Sequence, residues 1–496
     1  MLKDAIRSFS LASLCLMTSW IELHFLGGKS EFYRPGTPGR VDHGAAVLLT
    51  LLLSGLLWLG MRLARAAPDR LRAFLALSAL LALSVVPLNA VRIYLLPVRP
   101  AALLSGRRAL AVSLAAITLT VALAVALRWW RQALAVASAF SMAIAPFGVW
   151  MLARSVVAIA SGSSPRVNGA ASLAGPLADA HGSQRIVWLI FDEFDYGVAF
   201  SRRPRSLDLP EFDRLRAESL FAENATPPGP RTVVSMTSLL VGQRLLSVEP
   251  ETEADFSAVP DPQPAPALSR TASNLFRRAR SHHHDTWVVG WALPYCRTWA
   301  EDLSGCECEP AFTSVLGRSQ TIGASLLEQA QAMSPFNRRR LAVEAYRNVM
   351  AAAQRRLHAS QAGLILIHLP VPHPPPIYDP RRNALTTWMA SSVPGYLGNL
   401  KLADRTLGDL RRLMEDDGTW DRTTVLAMAD HPWRESRRLD GLTDRRIPYI
   451  LKLAGQHDGL AYSAQLDTAR TSALLLAILD DRLREPADVV QWLNRD

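Results

Sequence analysis

The chain has 496 residues, 49% of them hydrophobic and 20% charged, and a net charge of +10. Residues 1–160 are strongly apolar while 180–496 have an ordinary globular composition, which excludes a single soluble globule. Arginine supplies most of the positive charge, and no nucleic-acid motif accompanies it. Codon bias is the plain explanation, and attraction to anionic lipid or an anionic substrate is the functional one.

Five apolar segments come first, at about Ser8–Leu26, Ala45–Leu63, Ala73–Leu96, Ala109–Leu127 and Ala133–Leu152. Each has roughly the 20 residues a membrane-crossing helix needs. Four further spans make a cleaved signal peptide a poor account of the first. Basic residues flank both sides of the spans, so the positive-inside rule gives no orientation. Residues 161–183 are rich in Gly, Ala, Ser and Pro and read as a linker. The expected division is therefore a transmembrane domain over 1–160, a linker over 161–183 and a soluble domain over 184–496.

The soluble part alternates strands and helices. Arg185–Phe191 (RIVWLIF) and Ala362–Leu369 (AGLILIHL) are short apolar runs that predict buried strands, with further strands at Thr286–Gly290 and Thr423–Met428. Helices are predicted at Thr232–Val241, Thr271–Arg280 and Leu400–Met414. This alternation implies an α/β sheet covered by helices on both faces. Cys296, Cys306 and Cys308 cluster in a loop-like stretch. They predict one disulfide of open connectivity, hence an oxidising compartment outside the membrane.

Ligands gather at the carboxyl ends of strands in open α/β sheets. Three strands end in polar groups: Asp192-Glu193, His368 followed by His373, and Asp430-His431. Oxygen and imidazole donors suit one divalent ion such as Zn²⁺ or Mn²⁺. Adjacent strand residues point opposite ways, so only one of Asp192 and Glu193 is expected to face it unless the strand has already ended. Pro227, Pro228, Gly229 and Pro230 keep the chain irregular up to Arg231, and Thr232 then begins a helix. A hydroxyl there is commonly a cap. It is also where a nucleophile would meet an anion held by free N–H groups, with a nearby cation lowering its pKa.

The segment Thr232-Val-Val-Ser235-Met resembles the nucleophile segment of phosphoethanolamine transferases, and Gly242 stands where the related sulfatase motif ends. Ala429-Asp430-His431 resembles the metal-binding Ser-Asp-His-Gly, although Pro432 replaces the glycine. Asn399–Asp404 and Arg446–Tyr449 resemble the helix before and the short strand after that motif. Together they resemble the sulfatase-like branch of the alkaline-phosphatase superfamily over about 185–455. Membrane-anchored relatives of that kind include phosphoethanolamine transferases and lipoteichoic acid synthases. The resemblance implies an α/β domain of alkaline-phosphatase/sulfatase type behind an all-α transmembrane bundle of about five helices. It implies a metal site of Asp192 or Glu193, Thr232, Asp430 and His431, with Thr232 as catalytic nucleophile. His373 is the expected catalytic and substrate-binding histidine, and His457 a further substrate contact. Position 232 is not cysteine, so the formylglycine of true sulfatases cannot form.

The expected function is a multi-pass enzyme of the inner (plasma) membrane, with its catalytic domain on the periplasmic or extracellular side. It would hydrolyse or transfer a phosphoryl-linked headgroup through a covalent threonine intermediate. Its partners would be the bilayer and an anionic lipid or envelope glycan. The alternative is an inactive sulfatase-fold membrane protein acting as a sensor or lipid-binding partner. Other residues have plainer readings: His282–His284 as a solvated turn, Trp287, Trp291 and Tyr295 as core, and Glu22 and His24 as interfacial residues.

Overall fold

The computed structural model describes residues 2–25, 28–69, 71, 130–162, 173–178, 184–262, 266–311, 316–334, 336–359, 362–389 and 392–495. The chain divides into two compact units. One comprises Met1–Gly27, Arg34–Val167 and Thr313–Asn337. The other comprises Gly28–Tyr33, Asn168–Phe312 and Arg338–Asp496.

The first unit is helical. Helices α1 (Leu2–Cys15), α2 (Met17–His24), α3 (Arg40–Arg65) and α4 (Trp130–Ala160) pack around Leu16, Trp20, Ala46 and Met151. Helix α1 buries small polar residues, Ser8, Ser10 and Ser13, which permits close helix approach. At Gly148 of α4 a Cβ would come within 2.5 Å of the Ser13 hydroxyl. Arg40–Arg65 and Met142–Ala160 are the two helices among the described residues long and apolar enough to cross a membrane. The expected first span is instead two helices that meet at Leu16. The polar start of α1 (Asp4, Arg7, Ser8, Ser10) leaves neither helix a long apolar run. The expected spans at 73–96 and 109–127 lie outside the described residues.

The second unit is built on an eight-stranded mixed sheet. Its strands are β1 (Arg185–Phe191), β2 (Leu220–Thr226), β5 (Thr286–Ala292), β6 (Gly305–Pro310), β7 (Gly363–Leu369), β10 (Thr423–Ala429), β11 (Tyr449–Lys452) and β12 (Leu460–Asp467). Two small hairpins supply β3 (Leu245–Pro250) with β4 (Phe256–Pro260), and β8 (Tyr378–Asp379) with β9 (Ala384–Leu385). The sheet order is β12-β2-β11-β10-β1-β7-β5-β6. All its pairings are parallel except those of β11, which runs antiparallel to both neighbours.

Strands β1, β7 and β10 are buried along their whole length, which is why each reads as an unbroken apolar run rather than an alternation. Their ends are level: Phe191 pairs with Ala429 on one side and Leu369 on the other. Asp192 and Asp430 therefore leave the sheet at the same height on adjacent strands.

Candidate active site

Four segments converge beyond these strand ends. The first is the start of helix α6 (Thr232–Val241). Arg231, in extended backbone, precedes it, and Gly242 ends it in a left-handed conformation at φ 82°. A side chain at Gly242 would be strained there and would meet the Ser472 hydroxyl at 2.6 Å. The Ser235 hydroxyl donates to the Gly229 carbonyl at 2.7 Å, fixing the Pro-Gly-Pro loop that delivers Thr232. Thr232 itself is half-buried. The first backbone N–H groups of α6 have no partner within the helix, as at any helix start.

Asp192, Asp430 and His431 are fully buried, and one donor atom from each lies within 4.8 Å of the others. His431 Nε2 is 3.3 Å from Asp430 Oδ2 and 3.9 Å from Asp192 Oδ1. It is also 3.3 Å from Thr232 Oγ1. His431 Nδ1 lies 3.0 Å from the Pro432 carbonyl. Donation there leaves the Nε2 lone pair facing the two carboxylates. Proline in place of glycine after Asp430-His431 therefore still supplies the acceptor that orients the imidazole. Asp430 Oδ1 accepts the N–H of Glu193 and of His431. Among the described residues, both oxygens of Asp192 and Oδ2 of Asp430 are buried with no hydrogen-bond partner. Burial first, then the charges of Asp430 and Glu193, raise the Asp192 carboxyl far above the usual carboxylate range. Two buried carboxylates with three unsatisfied oxygens, beside an imidazole lone pair and a hydroxyl, make a set that fits one divalent cation.

The two adjacent acids part company. Asp192 turns into this group. Glu193, in left-handed backbone at φ 62°, sends its carboxylate to Arg434, whose Nε lies 2.6 Å away. Burial raises the Glu193 carboxyl, and Arg434 opposes that rise. Glu193 is thus outside the three-residue cluster, because the strand has ended and the turn swings its side chain aside.

His373 is half-buried on the loop after β7, its ring 5.2 Å from that of Trp291. Burial, with Arg434 and Arg338 nearby, holds it well below the usual imidazole range, so it is neutral at neutral pH. Asn399, on helix α11 (Val393–Asp416), pins this loop. Its amide donates to the carbonyls of Pro372, His373 and Pro375, and its oxygen accepts the N–H of Ile377.

His457 is elsewhere. Because β11 is antiparallel, the chain beyond Lys452 returns to the start of β10, where the Gly455 N–H donates to the Asp421 carbonyl. The exposed His457 follows, at the opposite end of the sheet from Asp430.

Sequence reasoning passed over Arg434 and Tyr396, and placed His368 at a strand end without giving it a role. His368 is fully buried, with Nε2 3.7 Å from Asp192 Oδ2 and Nδ1 2.9 Å from the Tyr295 hydroxyl. Burial pushes its pKa down to about 4. It pairs with Ile190, two residues before Asp192, and a lone histidine in the apolar run Gly363–Leu369 was the available sequence signal. Arg434 reaches both Glu193 and His431 Nε2. Tyr396 stacks on Trp433 at 3.9 Å and braces the turn after Asp192. Its hydroxyl donates to the Glu193 carbonyl and accepts the Asp195 N–H.

The cysteines resolve into a Cys296–Cys306 disulfide with Cys308 as a free thiol. Cys296 lies beside Tyr295 in the short helix α8 (Tyr295–Thr298), so the disulfide ties the helix that carries the His368 partner to edge strand β6. Among the histidine run, His282 and His284 both reach Asp480.

The family model described as Sulfatase matches residues 184–459. No curated protein matches the sequence. Solved structures similar to this chain include PsFucS1 sulfatase from Pseudoalteromonas sp., at 11% identity and a TM-score of 0.41, covering 62% of this chain and 69% of that one. The phosphonate monoester hydrolase of Agrobacterium radiobacter is similar at 13% identity and a TM-score of 0.38, covering 60% and 74%. A protein in the alkaline phosphatase superfamily from Vibrio parahaemolyticus is similar at 14% identity and a TM-score of 0.40, covering 62% and 68%.

Proposed function

Because the chain belongs to the sulfatase family, we propose that it is a membrane-anchored, metal-dependent enzyme of alkaline-phosphatase type that cleaves or transfers a phosphoryl-linked group through Thr232. The observation that carries this reading is the placement of Thr232 Oγ1, at a helix start, 3.3 Å from His431 Nε2 and beside the buried carboxylate pair. Asp192, Asp430 and His431, with the Thr232 oxygen, would hold one divalent cation, Zn²⁺ or Mn²⁺. When bound, such an ion supplies positive charge against the transferred group and eases loss of the Thr232 proton.

The chain's own residues carry the rest. The N–H groups opening α6 point where an anionic oxygen would sit. Thr232 Oγ1 forms a bond to phosphorus as the bond to the leaving oxygen breaks. Neutral His373 offers an N–H to that group without adding a second positive charge. Water or a hydroxyl of an acceptor then displaces Thr232 from phosphorus. Threonine in place of a formylglycine precursor favours phosphoryl over sulfuryl chemistry.

Anchoring is supported by α3 and α4, each with a stretch long and apolar enough to cross a bilayer. The Cys296–Cys306 disulfide supports a periplasmic or extracellular catalytic domain. A bilayer-embedded or surface-held anionic lipid or envelope glycan is the substrate class this arrangement serves. The test is to incubate the purified, metal-loaded protein with a chromogenic phosphodiester and map its peptides. Turnover together with a phosphorylated Thr232 peptide is expected. A metal-loaded protein whose activity survives Thr232→Ala would sink the proposal.

A further inference from the structure

Residues 313–337 fall between strands β6 and β7 in sequence, yet they belong to the helical unit. Their helix, α9 (Ile322–Ala332), is held there by polar contacts. The Ser325 hydroxyl donates to Asp42 Oδ1 at 2.9 Å, and the Gln329 amide donates to the Asp42 carbonyl at 2.9 Å. Just before α9, the Leu316 N–H donates to Glu22. Gly317 sits at φ 85° against Gly36, where a Cβ would come within 2.5 Å of the Gly36 carbonyl oxygen. Beyond α9, Met333 packs on the Leu16–Trp20–Ala46–Met151 core.

This helix is inside out by the standard of a water-soluble surface. Its polar Ser325 and Gln329 face inward and are fully buried. Its most exposed residues are Ile322, Gly323, Ala324 and Leu327, none of them charged, with Ile322 48% and Leu327 60% exposed, while Glu328 and Gln331 are half-buried. A helix that turns apolar side chains outward is matched to a surrounding less polar than water.

The helical unit indicates which surrounding. Asp42 lies in the first turn of α3, and the next residue, His43, shares the Ser155 hydroxyl with His24, each ring nitrogen 3.1 Å from it. That contact sets the start of α3, the end of α4 and the end of α2 at one level. Phe25, Phe147 and Trp150 form an exposed aromatic group within a turn or two of it. Leu48 begins the exposed leucines of α3 about 7.5 Å along the axis from His43, at 1.5 Å per residue. Aromatic rings at one end of an apolar band mark a membrane–water boundary.

We propose that α9 is a membrane-interface helix, lying at the lipid headgroup level with Ile322 and Leu327 inserted toward the acyl chains. This rests on the membrane reading of α3 and α4. The occupant of its outer face is the bilayer.

The test places spin labels on the full chain in nanodiscs of phosphatidylethanolamine and phosphatidylglycerol. The labels go at Leu327→Cys, Leu56→Cys on α3, or Arg382→Cys on the soluble unit, each with Cys15→Ser and Cys308→Ser. Accessibility to dissolved oxygen and to a water-soluble nickel chelate is measured for each. The Leu327 label is expected to shift to the oxygen-accessible, nickel-shielded behaviour of Leu56. If Leu327 behaves like Arg382 while Leu56 remains lipid-like, the interface proposal is overturned and the spanning reading survives. Shielding of Leu327 from both reagents means a protein covers it, a second copy included, and also overturns it. Nickel access at Leu56 removes the spanning reading and this proposal with it.

Discussion

Thr232 and His431 lie 199 residues apart in sequence and meet at 3.3 Å, hydroxyl oxygen to Nε2. Neither is chemically special alone. The contact turns a helix-opening threonine into a hydroxyl beside a buried Asp192–Asp430 pair.

Thr232→Ala should lower turnover of a phosphodiester by at least ~10³-fold, since a covalent route has no substitute nucleophile. His457→Ala should leave both kcat and KM within about twofold of the parent, because His457 sits at the far end of the sheet. Steady-state kinetics on the two purified variants compares them directly. An equal loss in both would refute the placement of the site.

Asp192→Asn should weaken Zn²⁺ or Mn²⁺ binding by more than the ~10–100-fold typical of losing an outer partner. Glu193→Gln should stay within that range, because Glu193 is held by Arg434 and not by the cluster. Equilibrium dialysis reads both without any assay of activity. Metal removal should also lower the Tm of the parent by exposing the repulsion between Asp192 and Asp430.

Asp404 should make stability pH-dependent. Its Oδ1 caps the helix α5 (Pro210–Ala217) by accepting the N–H groups of Glu211 and Phe212. Burial raises its pKa from 3.8 to about 7. Between those values the folded state keeps a proton that the unfolded state has lost, so stability falls as pH rises through that window. Asp404→Asn keeps an oxygen at the cap and removes the charge. It should gain about 1–2 kcal/mol over the parent at pH 8, with solvent screening allowed for, and nothing at pH 4. Urea unfolding at both pH values checks the sign.

Cys296→Ser should cost about 2.5–3 kcal/mol, the chain-entropy value for a bridge closing a separation of 10 residues. Cys308→Ser should cost about 1 kcal/mol or less and leave the bridge intact. Non-reducing peptide mapping and denaturant unfolding separate the two. A Cys296–Cys308 peptide from the parent would contradict the pairing.

The sequence alone determined the elements that carry their own signal. Strand β1 was legible at both ends because a strand buried on both faces must be apolar throughout. Helix α6 was legible because Pro227–Pro230 prevents an earlier start and Gly242 permits a left-handed stop. Asp192, Thr232, Asp430 and His431 stood out as polar residues at the ends of such elements. Only the tertiary structure put Asp192 and not Glu193 beside Asp430 and His431, paired Cys296 with Cys306, and brought His368 and Arg434 close to that group. It also removed His457 by running β11 antiparallel and folded 313–337 into the helical unit. Each of these depends on strand register, chain reversal or a turn's side-chain direction. Those are set by packing between residues far apart in sequence, which no local pattern of residues encodes.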